Sequence, residues 1–237
     1  MAKRTLMLTI CLGVLVPAGV VLTASDSESQ EVISFRGKAH WALATMPSPV
    51  IHEADPNPDK LETIFSNLGP KGFLYTDNVS WDVAGPDSGV PEEWVPMPFT
   101  PTFDAEVTRI VVAVEHNTGS PNSFVLSLNA DGGGLVPGKV IHRWIVKHAP
   151  KFGTCCTLDV AKDERGLKVG KGTQYWVVAQ TNEDEKGTRM EWDLAAQGIE
   201  GNFAFNDGTG WFEYTAFTSA FAVYGKKTES DPDYGED

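Results

Sequence analysis

The sequence predicts an all-β protein, an antiparallel β-sandwich with a jelly roll as the preferred topology. Three observations carry this expectation. Between residues 61 and 224 the apolar residues recur with a period of two rather than 3.6. The runs are short and separated by turn-forming stretches: "HNTGSPN", "NADGGGLVPGK", "KDERGLKVGKG", "NEDEKG" and "FNDGTGW". No segment carries the stripe of a long amphipathic helix. Regularly spaced short runs of this kind read as a sandwich. A jelly roll manages the sheet edges of such a chain. An immunoglobulin-type sandwich ranks second, because its cysteine and tryptophan signature is missing.

Each strand is justified by its own alternation. In "VTRIVVAVEH", Thr108, Ile110, Val112 and Val114 share one face, and Arg109, Val111, Ala113 and Glu115 the other. In "NSFVLSLNA", Phe124, Leu126 and Leu128 align. In "KVIHRWIV", Val140, His142, Trp144 and Val146 alternate with Ile141, Arg143 and Ile145. In "TQYWVVAQT", Tyr175, Val177 and Ala179 oppose Trp176, Val178 and Gln180. Further strands are expected at 188–194, 202–206 and 217–224. Shorter ordered pieces are expected around Val32–Phe35 and Ala39–Leu43.

The chain divides into four parts. Residues 1–24 form a secretory signal peptide: Lys3 and Arg4, an apolar run from Leu6 to Leu22, then Ala24 and Ser25 before the chain turns polar. Pro17 and Gly19 favour cleavage after Ala24 over a membrane anchor. Cys11 lies too early for a lipoprotein, and Ile10 is the wrong residue before it. Residues 25–60 are a polar lead marked by Pro47, Pro49, Pro56 and Pro58. Residues 61–225 form the sandwich domain. Residues 226–237 are an acidic, disordered tail. The predicted destination is extracellular or periplasmic, with no membrane contact after cleavage.

Charge excludes some partners. The formal net charge is −13, and loss of Lys3 and Arg4 makes it −15. A phosphate backbone or an anionic lipid surface requires clustered cations, so neither nucleic acid nor membrane is expected. Apolar residues at 41% and charged residues at 22% suit an ordinary globular domain.

Motifs for catalysis are not legible. There is no G-x-S-x-G elbow and no H-E-x-x-H pair. Histidines 40, 52, 116, 142 and 148 are scattered, and His142 reads as a strand residue rather than a ligand. "NADGGG", with Asn129 and Asp131, reads as a hairpin turn because it lacks the acidic periodicity of a calcium loop. "NEDEKG" reads as a solvated turn. No catalytic residue, cofactor or metal ligand is assigned.

Aromatics supply the candidate binding residues. Among Trp81, Trp94, Trp144, Trp176, Trp192 and Trp211, at least four are expected in the core, since tryptophan buries a large area. Trp94 in "PEEWVP" and Trp211 in "DGTGWFEY" lie in turn-like stretches. They are the candidate platform for a glycan.

After signal removal two adjacent cysteines remain, Cys155 and Cys156 in "KFGTCCTLDV". A zinc site lacks a second ligand pair, and a thioredoxin-like pair lacks its two spacers. Neighbouring Cα atoms stand about 3.8 Å apart across a trans peptide, whereas disulfides prefer roughly 4.4–6.8 Å. Two readings stand beside a minor intermolecular one. In one, a vicinal disulfide sits in a turn of an exported protein. In the other, both thiols lie in a strand, with Phe152, Thr154, Cys156, Leu158 and Val160 on its inner face. Both are structural roles.

The segments "TIFSNLGPKGFLYTDNVSWDVAG" (63–85), "PFTPTFDAEVTRIVVAVEH" (98–116), "LSLNADGGGLVPGKVI" (126–141), "FGTCCTLDV" (152–160), "GLKVGKGTQYWVVA" (166–179), "EWDL" (191–194) and "AFAVYG" (220–225) occur in that order. Together they resemble the exported bacterial β-sandwich domains known as choice-of-anchor domains, across most of 63–225. The resemblance implies a secreted domain and no catalytic residues. No apolar span follows Gly225, which favours free secretion over anchoring. Two function classes follow. The leading one is a secreted, non-enzymatic β-sandwich that binds an extracellular ligand, with polysaccharide the candidate. The alternative is an exported hydrolase of polysaccharide or peptide, which a cleft with convergent carboxylates or a pair of shifted pKa would favour.

Overall fold

The computed structural model describes residues 31–34, 40–43, 61–70, 73–154, 157–160, 167–196 and 198–228. These residues form an antiparallel, all-β, sandwich-like fold, whose one helical piece is a single 3₁₀ turn, Glu183–Glu185. In chain order the strands are β1 (Glu31–Ser34), β2 (His40–Leu43), β3 (Glu62–Ser66), β4 (Tyr75–Ala84), β5 (Val95–Phe99), β6 (Ala105–Val112), β7 (Val114–Thr118) and β8 (Ser123–Asp131). They continue with β9 (Pro137–Lys147), β10 (Leu158–Asp159), β11 (Leu167–Val169), β12 (Tyr175–Gln180), β13 (Arg189–Ala195), β14 (Glu200–Asn206), β15 (Trp211–Phe217) and β16 (Phe221–Lys227).

Five sets of strands result. One sheet runs β10-β6-β16-β3, with β11 also on β6. A second runs β5-β12-β8-β9 and a third β4-β13-β7; β1-β2 and β14-β15 are hairpins. The sets are stitched at their ends. β6 and β7 are one run broken at Ala113, whose N–H donates to Ala220 and whose carbonyl accepts from Asp193. Upstream of that break the run pairs with β16, and downstream with β13. Glu93 pairs with Ala84 of β4, and the adjacent Trp94 pairs with Asn206 of β14. This short stretch therefore ties the third sheet to the hairpin before the chain enters β5.

One apolar cluster joins these sheets. It contains Ile110, Val112 and Val114 from β6–β7, Phe124, Leu126 and Leu128 from β8, and Val177 and Ala179 from β12, with Trp192 and Phe221. In β6–β7 and β8 the inner faces are those the alternation predicts, whereas β12 is buried on both faces, since Trp176 and Val178 join the same cluster. The outer face of β6 is also covered: Val111, Ala222 and Tyr224 form a separate buried cluster, and Arg109 lies over the Tyr224 ring while pairing with Asp159.

Several sequence expectations need correction. The run expected at 217–224 is two strands, because β15 ends at Phe217 and β16 begins at Phe221. Thr218 and Ala220 between them donate to Ile199 and Asp193 instead of to each other's strands. β16 extends to Lys227, past the expected boundary at Gly225, because Lys226 and Lys227 still pair with Glu106 and Ala105. Both readings of "FGTCCTLDV" stay open at the cysteines; of the residues before them, 152–154 are a turn, with Gly153 at φ +73° and the Thr154 N–H on the Lys151 carbonyl. β10 begins at Leu158. Cys155 and Cys156 lie outside the described residues, as do residues 1–30, where a signal peptide is expected, most of 35–60 and the residues from 229 onward. "NEDEKG" is not wholly solvated. Asn182 caps the 3₁₀ turn in a reciprocal capping box, and Glu185 is buried, accepting a hydrogen bond from Ser123 at 3.0 Å.

Candidate functional site

Trp94 and Trp211, far apart in sequence, meet at one edge of the fold. β14 and β15 place Asn206 opposite Trp211. The Trp94 N–H donates to the Asn206 carbonyl at 2.9 Å, and the Asn206 N–H donates to the Trp94 carbonyl at 3.2 Å. Trp94, Asn206 and Trp211 thus form one rank across three neighbouring strands, whose side chains emerge on the same face. The two indoles lean together over Asn206, with ring centroids 6.3 Å apart and planes at 64°. That edge-to-face arrangement is the favoured one for aromatic quadrupoles.

Both tryptophans are half-buried, as is Trp144, while Trp81, Trp176 and Trp192 are buried. Trp94 sits in a bridge leading into β5, and Trp211 is the first residue of β15, so neither lies in the irregular turn that the local sequence suggests. The indole N–H of Trp94 is buried and meets no acceptor among the described residues. The turn beyond is held by Asp207, which accepts from the Thr209 amide and hydroxyl, and by Asn206, which accepts from the Gly208 amide. The Glu92 carboxylate lies against that turn: a Cβ on Gly208 would stand 2.5 Å from its Oε2. On the opposite face of the hairpin, Phe212 is exposed and packs on Phe205 at 5.6 Å. The corner therefore combines two indole surfaces with amide and carboxylate oxygens.

A second polar grouping is invisible as a motif. Registers on both sides of β13 place Glu115 of β7, Glu191 of β13 and Asp82 of β4 in one row. All three are buried. Arg189, two residues before Glu191 on β13, donates from Nε to Asp82 at 2.9 Å and pairs through Nη2 with Asp82 and Glu191 at 2.8 and 2.9 Å. Ser80 donates to Glu191 at 2.6 Å, and Asn117 donates to its other oxygen. Glu115 accepts from the Gly153 amide at 2.6 Å.

Like charges directly opposite one another in a sheet repel. Burial, reinforced by the Asp82 charge, pushes the Glu191 carboxyl up to about 7, against the lowering pull of Arg189 and Ser80. Asp82 Oδ2 is buried and meets no fixed donor. A protonated Glu191 supplies one through the side-chain hydrogen bond between the two carboxyls. The signal for this row was present in "SWDVA" and "RMEWDLA", where charged residues alternate with apolar ones on strands. Only the pairing register shows that the charged positions coincide.

Among the described residues, no group of three or more His, Cys, Asp or Glu side chains is arranged to hold a metal ion. His142 is half-buried with its ring 4.7 Å from Trp144. No helix among the described residues is long and apolar enough to cross a membrane.

The class these features define is an antiparallel, sandwich-like all-β protein with an aromatic corner at one edge and a buried carboxyl row in its third sheet. No protein-family model matches the chain, and neither a curated protein nor a solved structure matches it significantly.

Proposed function

We propose that the chain is a secreted, non-enzymatic binding protein whose aromatic corner takes a glycan. The observation that carries this reading is the convergence of Trp94 and Trp211 over Asn206. The apolar face of a pyranose stacks on an indole, while amide and carboxylate oxygens nearby accept its hydroxyls. Glu92, and Asn206 and Asp207 of the adjoining turn, carry oxygens of this kind. Export rests on the charged, apolar and small-residue segments of residues 1–24. The kinship proposed, with choice-of-anchor domains in a jelly-roll arrangement, rests on the ordered motifs across 63–225.

A hydrolase is the second reading, and the Glu191 carboxyl near 7 favours it. Against it, Asp82 and Glu191 are only 1% and 4% exposed, and both Glu191 oxygens are occupied by Ser80, Asn117 and Arg189. The same groups account for the raised carboxyl without any substrate.

A glycan-array screen of residues 25–237, with and without calcium, tests the proposal. The expected result is binding to a defined glycan class that weakens at least about tenfold in Trp94→Ala and in Trp211→Ala. Binding that survives both substitutions removes the corner as the site. Glycan turnover abolished by Glu191→Gln establishes the hydrolase reading instead. N-terminal sequencing of exported protein should begin near Ser25.

A further inference from the structure

β9 carries a pattern that the aromatic corner does not explain. Its residues alternate strictly between half-buried and exposed from Gly138 to Ile145. The exposed set is Lys139, Ile141, Arg143, Ile145 and Lys147. Isoleucines 141 and 145 are 40% and 60% exposed, two of the four large apolar side chains most open to solvent among the described residues. Among the described residues, Lys139, Arg143 and Lys147 have no carboxylate partner, in a chain whose net charge is −13.

β9 is also an edge. Among the described residues it pairs on one side only, with β8. Six consecutive pairs run without interruption from Ser123↔Lys147 to Leu128↔His142. The register then shifts, and Ile141 is the extra residue on β9. The straight part of this edge therefore spans about the length of an ordinary docking strand.

Lysines on an edge strand commonly serve to deter pairing. That role needs the charges but not two exposed isoleucines between them. Nor does the pattern suit a second copy of β9. Antiparallel pairing about Arg143 would set arginine against arginine and Lys139 against Lys147, which like-charge repulsion opposes. A partner strand fits if the side chains on its matching face alternate between acidic and apolar. Its carboxylates then meet Arg143 and Lys147, its apolar residues cover Ile141 and Ile145, and its backbone takes the free edge.

We propose that the β9 edge, from Ile141 to Lys147, is a docking site for an extended acidic peptide that adds to the β5-β12-β8-β9 sheet as a further strand. Charge selects the partner, isoleucine burial contributes affinity, and main-chain hydrogen bonds set the register. This surface is distinct from the aromatic corner and does not depend on glycan binding there.

The probe is a fluorescein-labelled peptide, Glu-Thr-Val-Thr-Glu-Thr-Val, titrated against residues 25–237 and followed by fluorescence anisotropy. Saturable binding is expected. It should weaken roughly tenfold or more in Arg143→Glu/Lys147→Glu and on raising the salt concentration. Two N-methylated forms, blocked at the odd or the even amides, separate strand addition from simple charge attraction. Only one of them should lose binding, because alternate amides face the edge. Absence of binding, equal binding by the charge-reversed variant, or unchanged binding by both N-methylated peptides would overturn the proposal. So would a preference for an acidic polysaccharide such as polygalacturonate over the peptide. Circular dichroism of the variant, matched to the parent, shows that any loss of binding is not a loss of fold.

Discussion

Glu191 and Asp82 face one another directly across β13 and β4, both buried, with Arg189 joined to each. Two carboxyls and one guanidinium balance only if one carboxyl keeps its proton, and Glu191 is the one pushed up, to about 7. The folded protein therefore holds a proton that the unfolded chain releases near the ordinary glutamate value of 4.5.

Stability should fall as pH rises. The contribution of this proton is fully present below about 4.5, declines through the window up to about 7, and levels off above it. The size is on the order of 3 kcal/mol at most. Urea midpoints measured between pH 5 and pH 8 should drop, and Glu191→Gln should flatten the profile. A midpoint that rises across the window in the parent protein contradicts this account.

Arg189→Met should be strongly destabilising at pH 8 and much milder at pH 5. Removing the guanidinium leaves Asp82 and Glu191 buried without their cation, a change that costs about 3–5 kcal/mol when the partner stays charged. At low pH the carboxyls can neutralise instead. Denaturant unfolding of the variant at the two pH values gives the comparison, and an equal loss at both would break the argument.

Asn67 should be a stability hot spot. Its side chain donates to the Ser219 carbonyl at 2.7 Å and to the Thr218 hydroxyl at 3.2 Å, and accepts from the Phe221 amide at 2.7 Å. It closes the break between β15 and β16 from the end of β3. Asn67→Ala leaves a buried amide and carbonyl poorly satisfied, for a loss of about 2–4 kcal/mol by chemical denaturation. A change below about 1 kcal/mol would show that water replaces the side chain.

Gly225 admits no side chain. A Cβ there would lie 2.1 Å from the Glu106 carbonyl oxygen, at the point where the register of β16 against β6 shifts. Backbone must move to relieve that approach, so Gly225→Ala should cost about 1–3 kcal/mol. Thermal unfolding of the variant is the measurement, and an unchanged midpoint would mean the two strands separate freely.

The strand content was legible because alternation is local. Phe124, Leu126 and Leu128 declare an inner face by position alone, and glycine-rich turns mark where each run stops. The break at Thr218–Ala220 was not legible, because apolar and β-branched residues continue through it. What ends β15 is hydrogen bonding to Ile199, Asp193 and Asn67, all supplied from elsewhere in the chain. Likewise the turn at residues 152–154 depends on a distant partner, because the Gly153 amide is taken by Glu115 of β7.

By itself, the sequence determined the all-β class and the inner faces of β6, β7 and β8, and offered Trp94 and Trp211 as a candidate platform. Tertiary structure decided that these two indoles meet, that Asp82, Glu191 and Glu115 share a row, and that β9 is an edge. The physical reason is that side-chain alternation is a property of one strand, whereas neighbours across a sheet follow from pairing register. Register is settled by the whole set of buried faces at once, and no local run of residues encodes it.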